Sequence, residues 1–324
     1  MRNALEVITL EDLGIVRVRG VDAVRFLQGQ LSNDIARLSP AHSILAGYHN
    51  PQGRTIALLR LMQWDADDLL AVVPRELAGV VASRLGKFVL RAKVKVADES
   101  AGWRVNGLVG GAPVALGRGA SGPPLSELPS SLSAQTHGDG AVFVRVGDEP
   151  ARWLVVSPVD APAPTSGYVI GNRQTWLALD IAAGQPQVCA ATSEEFVAQM
   201  LNLDVLNAIA FDKGCYTGQE VIARAHYRGR VKRRMQRFVS RDACHLAPGD
   251  SGLLADGRAF KVVLATQLTD GRCNFLAVAP LAGAAHDGAI ATASGASGTA
   301  GTPSPTAAAT ILADQLSLPY SLPD

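Results

Sequence analysis

Apolar and polar positions alternate in short runs along most of this chain, and few stretches carry the i, i+3, i+4 repeat of a helix. Leu13 to Arg19 (LGIVRVR) has a period of two and predicts a strand, which Gly20 breaks. Asp22 stands at the cap of a short helix that carries Phe26 and Leu27 and stops at Gly29. Ser43–His49 and Thr55–Met62 read as strands, and Asn50-Pro51-Gln52-Gly53 between them has the composition of a hairpin turn. Leu69–Val73 predicts a further strand. Leu77, Val80, Val81, Leu85 and Phe88 predict a helix over Arg75–Val89, before Lys93–Val96 returns as strand. Strands and helices mixed in this way predict an α+β domain over residues 1–100.

Residues 110–140 are rich in Gly, Ala, Ser and Pro and predict a loop or insertion. Val142–Val146, Arg152–Val156 and Trp176–Ile181 read as strands, the last ended by Gly184-Gln185-Pro186. Thr192-Ser193-Glu194-Glu195 has capping-box spacing, which predicts a helix with Phe196, Met200 and Leu203 on its buried face. From Met235 onward the apolar runs are short and divided by turn signals, as in a small β-barrel. The low-complexity tract 283–309 interrupts that region and is expected to be an exposed loop. The pattern thus divides into a second α+β domain over 101–230 and a barrel over 231–324.

Composition narrows the function classes. Over 324 residues, 48% are hydrophobic and 18% charged, enough apolar matter for a packed core. Thirty basic side chains against 29 acidic ones exclude whole-chain attraction to nucleic acid, so any basic surface is local. No run reaches 18 uninterrupted apolar residues, and the N-terminus lacks the pattern of a secretion signal, so a cytoplasmic protein with no membrane partner is expected. Cys189, Cys215, Cys244 and Cys273 are widely separated with no C-x-x-C pair, which predicts neither a disulfide framework nor a metal nest.

The most informative stretch is Phe211 to Arg224 (FDKGCYTGQEVIAR). Gly218 or Thr217 is placed to cap a helix running to Gly229. The free N–H groups of that helix start, with Lys213 beside them, suit an anion or a carbonyl-rich ring. Cys215 lies in the same positive field, which favours thiolate, although a packed cysteine in a tight turn fits the spacing as well. Downstream, Arg224, Arg228, Arg230, Lys232, Arg233, Arg234, Arg237 and Arg241 form an acid-free basic run. Arg224 and Arg228, four apart, share a helix face and could meet a carboxylate tail or a phosphate. Tyr227 and Phe238 are the aromatics near that run, a poor platform for stacking single-stranded RNA.

The run from Lys213 to Glu220 (KGCYTGQE), followed by Ala223-Arg224, resembles the signature of the YgfZ family, folate-binding relatives of the glycine-cleavage T-protein. Other blocks resemble that family in order: Phe26–Gln30, Phe88–Val94, Trp176–Gly184, Gln199–Leu203 and Leu318–Leu322. The resemblance implies an α+β fold of three domains around a central folate-sized channel, with a C-terminal β-barrel. It implies tetrahydrofolate or a derivative as cofactor, and Cys215 as the key residue of the signature loop. Trp176, Asp180, Lys213, Gly214, Tyr216, Gly218, Gln219, Glu220, Arg224 and Arg228 are its implied folate-binding set. It also implies a role in iron–sulfur cluster assembly or repair, with iron–sulfur enzymes or assembly proteins as partners and an indirect link to tRNA-modifying enzymes. Two positions depart from the family pattern. Ala182 stands where a Glu is common, with Asp180 expected two residues earlier on the same strand face; Leu13 stands where some members carry Trp, leaving Trp176 to stack on a flat ring.

Two other function classes compete. An active tetrahydrofolate-dependent aminomethyltransferase would need an acidic group near the reacting amine, yet Gly53–Gln63 contains no carboxylate. A T-protein would also carry Arg where Gln219 stands. A direct tRNA-binding module draws on the basic run but lacks both net charge and aromatics.

Overall fold

The computed structural model describes residues 5–110, 128–138, 140–161, 168–229, 231–281 and 310–323. In chain order it contains β1 (Leu5–Thr9), β2 (Leu13–Arg19), α1 (Ala23–Gln28), β3 (Ile44–His49), β4 (Thr55–Asp65), β5 (Asp68–Pro74), α2 (Arg75–Gly86), β6 (Lys95–Asp98) and β7 (Trp103–Gly110). There follow β8 (Gln135–Gly138), β9 (Ala141–Asp148), β10 (Ala151–Pro158), β11 (Tyr168–Ile170), α3 (Arg173–Ala182) and α4 (Gln219–Arg228). The last elements are β12 (Arg233–Ala243), β13 (Ser251–Leu254), β14 (Ala259–Gln267), β15 (Arg272–Pro280), β16 (Thr310–Ile311) and β17 (Ala313–Leu316). No helix among the described residues is long and apolar enough to cross a membrane.

Three sheets organise these elements: β3-β4-β5-β2-β6, β11-β1-β7-β10-β9-β8, and β16-β13-β14-β15-β12-β17. In the third, the two outer strands β16 and β17 are consecutive in the chain, separated by Leu312 alone, so the sheet curls until its edges nearly meet. That is the expected barrel-like unit. The largest core runs from the first sheet and α2 (Leu59, Leu77, Val81) through Ile181, Leu201 and Ile222 to barrel residues Met235 and Leu276. A second core packs Ile15 and Leu70 against Ile8, Val142 and Val156. The sheets therefore share apolar contacts.

The hairpin joining β3 and β4 forms as its sequence predicts. Asn50 Oδ1 accepts from the N–H groups of Gln52 and Arg54, each at 3.0 Å, and Gly53 takes φ +71°. α1 stops at Gly29 as expected, but Asp22 does not cap it; its carboxylate accepts from Lys93 N–H at 2.7 Å.

Several expectations are corrected. α2 ends at Gly86, and Val80 and Phe88 are exposed. Part of 110–140 is strand β8, while residues 111–127 and 139 lie outside the described residues, as does the tract 283–309. Trp176–Ile181 is not a strand but lies in α3, started by Asn172, whose Oδ1 accepts from Thr175 N–H at 2.8 Å. The capping box at Thr192 starts no α-helix. Thr192 Oγ1 accepts from Cys189 N–H, and Glu194, at φ +64°, sends its carboxylate to Asn50 and Arg84. A single 3-10 turn, Ala198–Leu201, follows; Phe196 and Leu203 are buried around it.

Candidate functional site: a channel between the sheets

α3 places Trp176 and Asp180 one turn apart on the same face, at the inner end of the space between the sheets. Asp180 does not share a face with Ala182, because in a helix residues two apart point in nearly opposite directions. Trp176 is 3% exposed and lies against Gly107, where a methyl group would meet its ring at 2.4 Å. Arg152 of β10, 2% exposed, sets its guanidinium 5.1 Å from the Trp176 ring centre and donates from Nη1 to Asp180 Oδ1 at 2.6 Å. Burial raises the Asp180 carboxyl above its ordinary value, with Arg152 pulling the other way. Trp176 is thus a core tryptophan that reaches the edge of a small compartment. That inner compartment, about 110 Å³, is lined mainly by apolar side chains such as Leu13, Leu58, Val72 and Leu154, with Arg60, Gln185 and Gln187 also in its wall.

The inner compartment opens into an outer cleft of about 670 Å³, the two sharing Leu45, Arg60, Val146 and Gln185. Arg37, Arg60 and Arg145 line the outer cleft, with His42 beside them and the acids Asp34 and Asp212 also in its wall. Half-buried Arg60 donates to Ser133 Oγ at 3.2 Å and has no carboxylate partner among the described residues. Desolvation pulls its guanidinium down to about 10. Arg145 pairs with Asp148 at 3.3 Å and lies 4.6 Å from the Trp153 ring centre; its Nε is buried without a partner. His42 falls below the usual imidazole value through burial and the nearby charges of Arg37 and Arg60. Phe211, Asp212 and Tyr227 form part of the rim, where His226 stacks on Phe211 at 3.7 Å and Tyr227 meets it edge-on.

The signature loop lies beside this channel. Gly218 starts α4 with φ +84°, and a methyl there would stand 2.5 Å from the Asn50 carbonyl oxygen. The loop therefore rests on the β3–β4 turn at backbone contact, and the helix ends at Gly229 as predicted. Lys213 is not beside free N–H groups; its Nζ donates to the carbonyls of Gln28, Leu31 and Asn33, each at 2.7 Å. Burial pulls it down to about 8. It ties the loop to the segment after α1 and has its donors spent. Tyr216 is buried, its hydroxyl pushed up to about 12 by desolvation. Gly214, Cys215 and Glu220 are exposed and Gln219 half-buried, and none of Lys213–Glu220 lines either compartment.

The basic run does not form one face. Arg234 is 3% exposed and bidentate to Asp204, at 2.9 and 2.8 Å. Arg233 donates to Ala259 O, and Arg241 pairs with Asp314. Arg230 lies outside the described residues. Arg224 and Arg228 are exposed on α4, away from the compartment walls. Arg60, which lines both compartments, and Arg152, which holds Asp180 from behind, escaped sequence reasoning, although a signal existed. Arg60 interrupts Leu58-Leu59-Arg60-Leu61-Met62, and Arg152 interrupts Ala151-Arg152-Trp153-Leu154. A lone charge in an apolar strand needs a buried partner or a ligand.

No protein-family model matches the sequence. Among solved structures, the aminomethyltransferase T of the glycine cleavage system from Bartonella henselae resembles it with a TM-score of 0.66 at 16% identity, over 86% of this chain and 79% of that one. A heterotetrameric sarcosine oxidase from Corynebacterium sp. U-96 resembles it over 49% of this chain and 77% of that one, with a TM-score of 0.35 at 15% identity. On the first of these likenesses, the chain has the α+β fold of a glycine-cleavage T-protein, with a nearly closed C-terminal barrel.

Proposed function

We propose that the protein binds tetrahydrofolate or a derivative along this channel, pterin inward, and acts as an accessory protein without aminomethyl transfer. The observation that carries the reading is the polarity gradient. The inner end is mainly apolar with one carboxylate, Asp180, beside Gln185, Gln187 and the shared Arg60, and the outer cleft carries Arg37, Arg60 and Arg145 together with Asp34 and Asp212. A folate has the complementary order, a flat ring edged with N–H donors at one end and carboxylates at the other. Asp180, with only Oδ1 taken by Arg152, would accept from the pterin amino groups, while Trp176 walls the ring. Lys213, Gly214, Tyr216, Gly218 and Gln219 would shape the channel from behind; Glu220, Arg224 and Arg228 lie on the exposed side of the loop.

Support for iron–sulfur assembly or repair, and through it for tRNA modification, rests on the signature resemblance and on Cys215, an exposed free thiol. Titration with tetrahydrofolate followed by tryptophan fluorescence tests the core of the reading. Saturable quenching that Asp180→Asn weakens is expected, and no change at millimolar ligand would refute it. For Cys215, Ala and Ser variants should melt normally yet fail to restore iron–sulfur enzyme activity in a strain lacking the protein.

The fold neighbour favours a second reading, aminomethyl transfer. Against it, β4 brings Arg60 and no acid to the channel before Asp65. Turnover of an aminomethylated carrier protein and tetrahydrofolate to methylene-tetrahydrofolate would establish it.

A further inference from the structure

We infer that a second cleft, separate from the channel, binds a small zwitterion that carries an amide group, either a dipeptide with free ends or a carboxamide amino acid. This site is independent of the folate reading. The cleft, of about 430 Å³, lies where β1, β10 and β11 end and β7 begins, and it shares no lining residue with either compartment of the channel.

Asn106 interrupts the apolar strand sequence Val105-Asn106-Gly107-Leu108-Val109. It is 2% exposed and lines the cleft, and its carboxamide has no hydrogen-bond partner among the described residues. Strand alternation sets it on the face opposite Val105, which packs in the core with Ile8 and Val156. A buried amide without partners carries a desolvation cost, which a ligand removes if it offers an acceptor and a donor side by side. Another amide group has that pairing. Thr9 stands directly opposite Asn106 in the β1–β7 ladder and adds a hydroxyl that has no partner among the described residues. The wall also carries charges of both signs. Arg75 donates from Nε to the Glu11 carbonyl at 2.8 Å, while its two Nη groups and the Glu11 carboxylate have no partner among the described residues. Arg104 donates from Nη2 and Nη1 to the carbonyls of Val159 and Ala161, at 2.6 and 3.3 Å, and so holds the Val159 wall in place. A simple anion would meet Glu11 unfavourably, and a simple cation would meet Arg75. A zwitterion satisfies both, with its carboxylate on Arg75, its ammonium on Glu11 and its amide on Asn106 and Thr9. Val7, Val159 and Ile170, the last two 49% and 81% exposed, offer apolar surface to an aliphatic side chain.

The test uses the full chain and saturation-transfer NMR, with L-alanyl-L-valine and L-glutamine as probes, each titrated to about 10 mM. At least one should bind saturably, and the tighter of the two identifies the source of the amide. L-Valine keeps both charges but has no amide, and it should bind about tenfold more weakly or worse. The same holds for the N-acetylated, C-amidated dipeptide, which keeps its amides and loses both charges. Asn106→Leu should abolish binding yet melt at or above the wild-type temperature, because it removes an unsatisfied polar group from an apolar strand. Thr9→Val and Arg75→Gln, both at exposed positions, should each weaken binding about tenfold. Saturable binding of neither probe overturns the inference, as does equal binding of valine or binding that Asn106→Leu leaves unchanged. An Asn106→Leu variant that melts well below the wild type makes Asn106 a structural residue and also overturns it. Displacement of the probe by tetrahydrofolate would put the probe in the channel and overturn the second site while leaving the folate reading intact.

Discussion

At the inner end of the channel Arg152 is enclosed, sits over Trp176 and holds Asp180 at 2.6 Å; at the outer cleft Arg60 meets a serine hydroxyl and, among the described residues, no acid. Both arginines interrupt apolar strands; Arg60 lines both compartments, and Arg152 stands behind the inner one, against Asp180 and Trp176. Their electrostatic situations are opposite. A paired, buried charge is part of what keeps the local structure together, since removing its partner strands the other ion. An unpaired, desolvated one contributes nothing comparable to the empty protein and favours a state in which an anion is bound. The contrast separates a structural arginine from a binding one without appeal to position in the chain.

The largest effect should come from breaking the inner pair. Arg152→Met leaves the Asp180 carboxylate without its cation and should cost about 3–5 kcal/mol in urea unfolding. The double variant Arg152→Met/Asp180→Asn should recover much of that loss. A single variant as stable as the wild type would erase the distinction between the two ends.

Gly107→Ala probes the same end sterically. The added methyl would stand 2.4 Å from the Trp176 ring, so the indole must shift. A loss of about 1–3 kcal/mol and an altered tryptophan emission spectrum are expected. An unchanged spectrum would mean that the indole is not held against β7.

Arg60→Met is the matching change in the outer cleft, and it should leave stability within about 0.5 kcal/mol of the wild type, or raise it, while weakening folate binding. A loss of stability like that of Arg152→Met would show that Arg60 is structural after all.

The smallest effect concerns pH. Burial and the charges of Arg37 and Arg60 hold His42 below its ordinary value in the free protein. Carboxylates bound beside it would favour its protonated form and raise it. Binding would then take up a proton, so folate affinity should rise as pH falls from about 7.5 to 5.5, by at most about tenfold per unit. His42→Gln should flatten that profile; a wild-type profile that is already flat would place the ligand carboxylates away from His42.

Sequence alone determined the features that depend on neighbours along the chain. Period-two runs became β2, β3, β4 and β5, and Asn50 and Gly53 made the hairpin turn, because an Asx side chain and a positive-φ glycine act locally. Gly218 and Gly229 bracketed α4 for the same reason. Only the tertiary structure decided the features that depend on what lies across space. The run Trp176–Ile181 is apolar enough for either strand or helix; the Asn172 cap and packing against Gly107 and Arg152 settle it as helix. Lys213 reads from its neighbours as an anion-site cation, but carbonyls some 180 residues earlier in the chain take all its donors. Arg234 reads as part of a solvated run, yet strand alternation turns it inward onto Asp204. Whether a charge is paired, and so whether it serves the fold or a ligand, is set by Coulomb attraction and desolvation over a few ångströms, and chain separation carries almost no information about that distance.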